Sequence, residues 1–98
     1  MSRKTLKSLM ILLLLSFFVT GCYYFSAKKE MQNAEKLISD LKAQGGEKLV
    51  PYEYTSAVKF LEISTGDFKD NDFKTAQGFA IRSKSAAEAG LAEVKKRK

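Results

Sequence analysis

FKTAQGFAIRSKSAAEAGLAEV, residues 73–94, is the stretch on which the fold turns. In it Phe73, Ala76, Ala80, Ser83, Ala87, Gly90 and Val94 recur at alternating steps of three and four. Such steps bring side chains onto one face of an α-helix, whereas a strand would alternate by two. The face consists almost wholly of small residues, so another helix can approach it closely. Gly78 and Gly90 each cost about 1 kcal/mol of helicity relative to alanine, so packing has to hold this helix together. Lys95, Lys96, Arg97 and Lys98 follow it and complement the negative end of the helix dipole.

Upstream, residues 67–72 interrupt the helical pattern. Asp70, Asn71 and Asp72 are turn and capping types, and Asp72 is the expected N-cap of the helix that starts at Phe73. Before them another helix is expected from Pro51, which suits a first-turn position. Its stripe holds Tyr54, Ala57, Val58, Leu61, Ser64 and Phe68. A further helix is expected from about Ser26, its N-cap, to Gln44, with Gly45 and Gly46 as the stop. Its stripe, Ala27, Met31, Ala34, Ile38 and Leu41, is narrow. That stripe fits either an intramolecular three-helix bundle or a coiled-coil stalk. No segment alternates as a strand does, and the expected fold class is all-α: a signal helix followed by an α-helical hairpin in a small two- or three-helix bundle.

The first 22 residues have a different character. Arg3, Lys4 and Lys7 form a basic start, and residues 9–19 are apolar except for Ser16. This is the layout of a secretory signal. Eleven helical residues span about 16 Å, roughly half of a ~30 Å hydrocarbon core. Extending the run through Tyr23, Tyr24 and Phe25 gives a segment of marginal length for an uncleaved anchor.

Val19-Thr20-Gly21-Cys22 closes the leader and resembles the bacterial lipobox: an aliphatic residue, two small ones and a cysteine. The resemblance implies lipidation of the Cys22 sulfur, cleavage between Gly21 and Cys22, and acylation of the new amine. Small side chains at 20 and 21 let a peptidase approach the backbone. Several acyl chains, at about 0.8 kcal/mol per buried CH₂, make such an anchor lasting. Tyr23, Tyr24 and Phe25 would then lie at headgroup level. By likeness to enterobacterial lipoproteins, tyrosine rather than aspartate at position 23 implies the outer membrane, facing the periplasm.

Two looser likenesses concern the body. Phe60, Ile63 and Ser64, then Phe73, Ala76, Ala80 and Ser83, resemble one tetratricopeptide-like hairpin, without the repeats or the closing proline. Pro51-Tyr52-Glu53-Tyr54, Ala57, Phe60-Leu61, Asp72-Phe73 and Ala76 resemble proteobacterial lipoproteins carrying the DUF4398 domain, which implies a family but no activity. The expected division is therefore a removed leader at 1–21, a lipidated first helix at 22–50, and a hairpin with a basic tail at 51–98.

Composition narrows the function. The formal charge of +6 is an end effect. Of 17 basic side chains, three lie in the leader and four end the chain; the stretch between is nearly neutral against 11 acidic groups. That argues against a nucleic-acid-binding face. A body this short is near the lower limit for a self-sufficient core. One cysteine provides no internal disulfide, and the lack of histidine removes the commonest general base and an ordinary zinc ligand.

Ser83, Lys84 and Ser85 are adjacent, but neighbouring helical residues point in different directions and do not form a nucleophile–base pair. Asp67, Asp70 and Asp72 open like a calcium loop yet lack its glycine and closing glutamate. No enzyme, cofactor or metal is expected. Tyr52, Tyr54, Phe60 and Phe68 read first as core and hairpin-closing residues, and otherwise as the lining of a groove.

Two functions follow as expectations. In the first, the chain is a membrane-anchored binding or scaffold module that docks an envelope protein. In the second, it is a structural tether between outer membrane and peptidoglycan. There the Lys-Lys-Arg-Lys end resembles that of the major outer-membrane lipoprotein, which implies a link at Lys98. A solvated tail that merely completes the helix is the simpler reading of those residues.

Overall fold

Gly45 adopts φ 82°, in the left-handed region, and ends the first helix as its position in the sequence suggested. The computed structural model describes residues 2–97, and of residues 16–21 the backbone alone. Four helices are described: α1 (Arg3–Ala43), α2 (Gly46–Leu49), α3 (Pro51–Lys69) and α4 (Phe73–Arg97). No strand occurs among the described residues. The chain is all-α.

α1 departs from the expected pair of helices. It runs unbroken for 41 residues, so the leader and the first helix of the body are one rod. Ser26 lies inside it and caps nothing. An N-cap needs a break in helical backbone before it. No proline precedes Ser26, and Gly21 alone costs only about 1 kcal/mol between two strong apolar runs.

The other boundaries follow local chemistry. Pro51 occupies the first turn of α3. α3 persists to Lys69, past the expected break at Asp67, and ends in a two-bond C-cap. The Asn71 N–H donates to the Phe68 carbonyl at 3.1 Å and the Asp72 N–H to the Asp67 carbonyl at 2.9 Å. Asn71, at φ 63°, supplies the left-handed residue that this cap requires. Asp72 then opens α4: the Thr75 N–H donates to Asp72 Oδ1 at 3.3 Å and the Ala76 N–H to its carbonyl at 3.0 Å. The one-turn α2 was not foreseen in the sequence. It starts directly after Gly45 and leads into Val50, which is fully buried.

From about Tyr24 onward the three long helices form one bundle, and each touches the other two. α3 and α4 are antiparallel, as the pairings of Ser64 with Ala76 and of Ala57 with Ser83 require. α1 and α4 run parallel: Tyr24 meets Phe73 and Glu30 meets Lys84 further along. The 27–41 stripe is therefore used within the chain. Ala27, Ala34 and Leu41 are fully buried, seven residues apart. Val50, Ala57 and Ser64 repeat that spacing from the start of α3, all buried.

α4 is the central element. Among the described residues it alone buries both lines of the seven-residue repeat, Ala76, Ser83 and Gly90 with Ala80, Ala87 and Val94. This is the 3.5-residue period of coiled-coil packing. Small residues draw the helices together at mid-height, and each methyl group buried there contributes only about 0.8 kcal/mol. Larger side chains close the two ends. Leu41, Val50 and Val94, backed by Leu49, Tyr54 and Leu91, fill one. Tyr24, Phe68 and Phe73 fill the other, with ring centroids 5.1–5.2 Å apart.

Candidate functional site

The part of α1 ahead of the bundle has no side of its own to hide. Leu6, Leu9, Met10, Ile11, Leu13, Leu14 and Leu15 are all exposed. A helix that is apolar all round is a partner for lipid or for a deep core, not for water. Among the described residues the buried core begins at Ala27. The 70 Å long axis of the molecule reflects this projecting segment. Among the described residues, no helix is long and apolar enough to cross a membrane.

Cys22 sits where the projecting segment meets the bundle, as an exposed free thiol. Gly21, on the other side of the expected cleavage point, lies on α1; its surroundings are outside the described residues. The three aromatic residues after Cys22 part company. Tyr24 is half-buried, wedged against Phe68 of α3 and Phe73 of α4, with Lys28 Nζ 5.9 Å from its ring centroid. Phe25 is 71% exposed and meets Tyr24 edge-on. Tyr24 is thus engaged by the hairpin, while Phe25 is left open. Side chains 100° apart around a helix cannot share one environment, and the hairpin covers the Tyr24 side.

The basic tail is at the opposite end. From Cys22 to the end of α1 the helix rises about 32 Å, and α4 runs in the same direction. Lys95 and Lys96 are exposed. Arg97 is fastened: its guanidinium donates to the Leu49 carbonyl at 2.8 Å and pairs with Glu93 at 3.4 Å. That fastening joins the end of α4 to α2, a contact no sequence pattern announced. Lys98, the residue implied for a peptidoglycan link, lies outside the described residues.

The remaining candidates are dispersed. The Ser83 hydroxyl is buried and donates to the Ala57 carbonyl at 2.6 Å, Lys84 reaches Glu30 of α1 at 3.5 Å, and Ser85 is exposed. Those three side chains serve three different surroundings. Asp67 is half-buried, while Asp70 and Asp72 are exposed in the α3–α4 turn. Among the described residues no three acidic or thiol groups are placed to hold a metal ion.

Of the four aromatic residues expected in the core, Tyr54 and Phe68 pack there. Phe60 is half-buried and stacks on Phe79 at 6.2 Å. Tyr52 is 79% exposed, contrary to the core reading. As the second residue of α3 it falls on the outer side, where with Phe60 and Ile63 it lines a shallow groove. Phe79 and the Arg82 guanidinium stacked over it at 5.1 Å complete this outer surface. Neither residue belongs to the stripe of three and four, because both flank the buried face of α4. Comparison with known protein families, with curated proteins and with solved structures finds no match.

Proposed function

We propose that the chain is a small envelope lipoprotein, cleaved before Cys22, lipidated on that sulfur and held on the periplasmic side of a membrane, the outer membrane by the residue at position 23. Its body is the payload, a scaffold that docks another envelope protein; a tetratricopeptide-like use of the α3–α4 hairpin is the finer form of this reading. One observation carries it. Among the described residues the bundle's core starts at Ala27, Cys22 is exposed just before it, and the apolar side chains from Leu6 to Leu15 are left uncovered. Cleavage at Gly21–Cys22 would therefore remove none of the buried residues described. The likeness to the DUF4398 lipoproteins points the same way.

Intact-mass spectrometry of the chain purified from membranes tests the reading. The expected mature protein begins at Cys22 and carries acyl mass there. A mature chain that begins at any other residue, unmodified, would falsify it.

The structural tether remains the second reading because Cys22 and the basic tail stand at opposite ends of the bundle. A chain attached at both ends would need that separation. Digestion of purified sacculi decides this one: a muropeptide joined to Lys98 is required, and its absence removes the covalent tether.

A further inference from the structure

We infer that the closed end of the α3–α4 hairpin is itself a membrane-contact surface, seated on zwitterionic headgroups beside the anchor, so that the bundle stands upright with its basic tail pointing away. The inference rests on the membrane-anchor reading proposed above and adds an orientation and a second point of contact to it.

Three relationships carry it. First, the height of the turn is fixed. Phe68 and Phe73 both meet Tyr24, two residues after Cys22. The 70–72 turn lies beyond them in the direction of Cys22, because α3 runs antiparallel to α1. A residue rises only about 1.5 Å along a helix, so the turn reaches the level of Cys22. Whatever surface receives the Cys22 sulfur also meets the turn.

Second, Phe25 is the exposed aromatic residue at that level, at 71%, three residues after Cys22. A large ring left open beside the anchor point suits the headgroup boundary, where aromatic side chains gather. Third, the rim carries charges of both signs. Lys28, Lys69 and Lys74 are exposed there together with Asp70 and Asp72. A rim of one sign would select anionic lipid. A mixed rim matches a headgroup that carries both a phosphate and an ammonium group.

The protein contains no tryptophan, so single-tryptophan reporters have no background. Phe25→Trp, Asp70→Trp and Lys74→Trp would mark the closed end, and Tyr52→Trp the far end; positions 52, 70 and 74 are exposed and tolerant of a bulky ring. Each variant, purified from membranes as the chain that begins at Cys22, is reconstituted into phosphatidylcholine–phosphatidylethanolamine vesicles with lipids brominated near the headgroup.

The expected result is quenching at positions 25, 70 and 74 at least about threefold stronger than at 52, changing less than about twofold when anionic lipid is added. Two results overturn the inference and leave the anchor standing. In one, the chain floats with the vesicles while positions 70 and 74 are no more quenched than 52. In the other all four positions are quenched alike, as in a bundle lying flat. A chain that fails to float with vesicles overturns the anchor reading and this inference together.

Discussion

The Ser83 hydroxyl donates to the carbonyl oxygen of Ala57 at 2.6 Å, from the middle of α4 to the middle of α3. Nineteen residues earlier in the chain, Ser64 returns the bond, donating to the Ala76 carbonyl at the same distance. Ala57 and Ser64 are seven apart on one helix, Ala76 and Ser83 seven apart on the other, so the two bonds form a reciprocal pair across an antiparallel contact. A serine side chain is short. It reaches a neighbouring backbone only if the helices are close, and the alanines opposite allow that closeness. The carbonyls keep their own helical N–H donors, so each serine uses a spare lone pair.

Replacing one serine by alanine removes a buried bond without stranding an acceptor. Ser83→Ala and Ser64→Ala are each expected to lower unfolding stability by about 1 kcal/mol. The sites are about 10 Å apart, and the double variant should be additive within about 0.5 kcal/mol. Urea unfolding of the detergent-solubilised chain, followed by circular dichroism, measures this as a lower midpoint at unchanged slope. Ser83→Leu is the contrasting case: the added volume has no space between α3 and α4, and a loss of about 3 kcal/mol or more is expected. A tolerated leucine there would contradict the close approach.

Glycines in the bundle are predicted to respond with opposite signs. A Cβ on Gly90 would lie 2.8 Å from Leu41 Cδ2 and 3.2 Å from Glu53 Cβ. Leu41 is fully buried and cannot swing away freely. Gly90→Ala therefore gains about 1 kcal/mol of helicity and loses more to overpacking, for a net loss of about 1 kcal/mol. Gly78 has nothing within 4 Å of such a Cβ, and Gly78→Ala should raise stability by about 0.5–1 kcal/mol. Thermal melts of the two variants side by side give the signs directly.

That pair of glycines also marks where the sequence was readable and where it was not. The period of three and four placed both Gly90 and Ser83 on the buried face of α4, and both are buried there. It likewise placed Gly78 off that face, and Gly78 is exposed. Periodicity reports which way a side chain points, so it works wherever one face meets a core. Local chemistry gave the ends, since the Asp70-Asn71-Asp72 turn needs only its own residues.

What the sequence hid depends on more than one element. The continuity of α1 through Ser26 turns on the absence of a break, which a good capping residue does not itself create. The fastening of Arg97 to Leu49 spans 48 residues. The burial of Tyr24 beside the exposure of Phe25 required knowing that the α3–α4 turn folds back to the level of Cys22.

Tyr24 and Phe25 are accordingly predicted to separate stability from surface behaviour. Tyr24 packs on Phe25, Phe68 and Phe73, and its removal leaves the lower end of the core unfilled. Tyr24→Ala is expected to cost about 2–3 kcal/mol, toward the low end for large aromatic truncations because the ring is only half-buried. In a bundle of this size each kcal/mol moves the melting temperature by about 4–8 °C. Phe25→Ala, at a ring that is mostly in solvent, should move it by less than one such step. Equal shifts in the two variants would place Phe25 in the core after all.

Cys22 is predicted to matter for anchoring and not for folding. Its side chain is exposed, it precedes Ala27, the first buried one among the described residues, and it forms no disulfide. Cys22→Ser should therefore leave helicity and melting temperature unchanged within error, because no buried group loses a contact. In cells the same variant should no longer incorporate labelled palmitate, and it should keep its leader, migrating more slowly than the mature chain. Serine retains the size of the side chain but not the thiolate that the modification consumes. The combination is what discriminates. Loss of label with an intact fold assigns the residue to attachment. Loss of both would make Cys22 a structural residue, and retained label would put the lipid on another group.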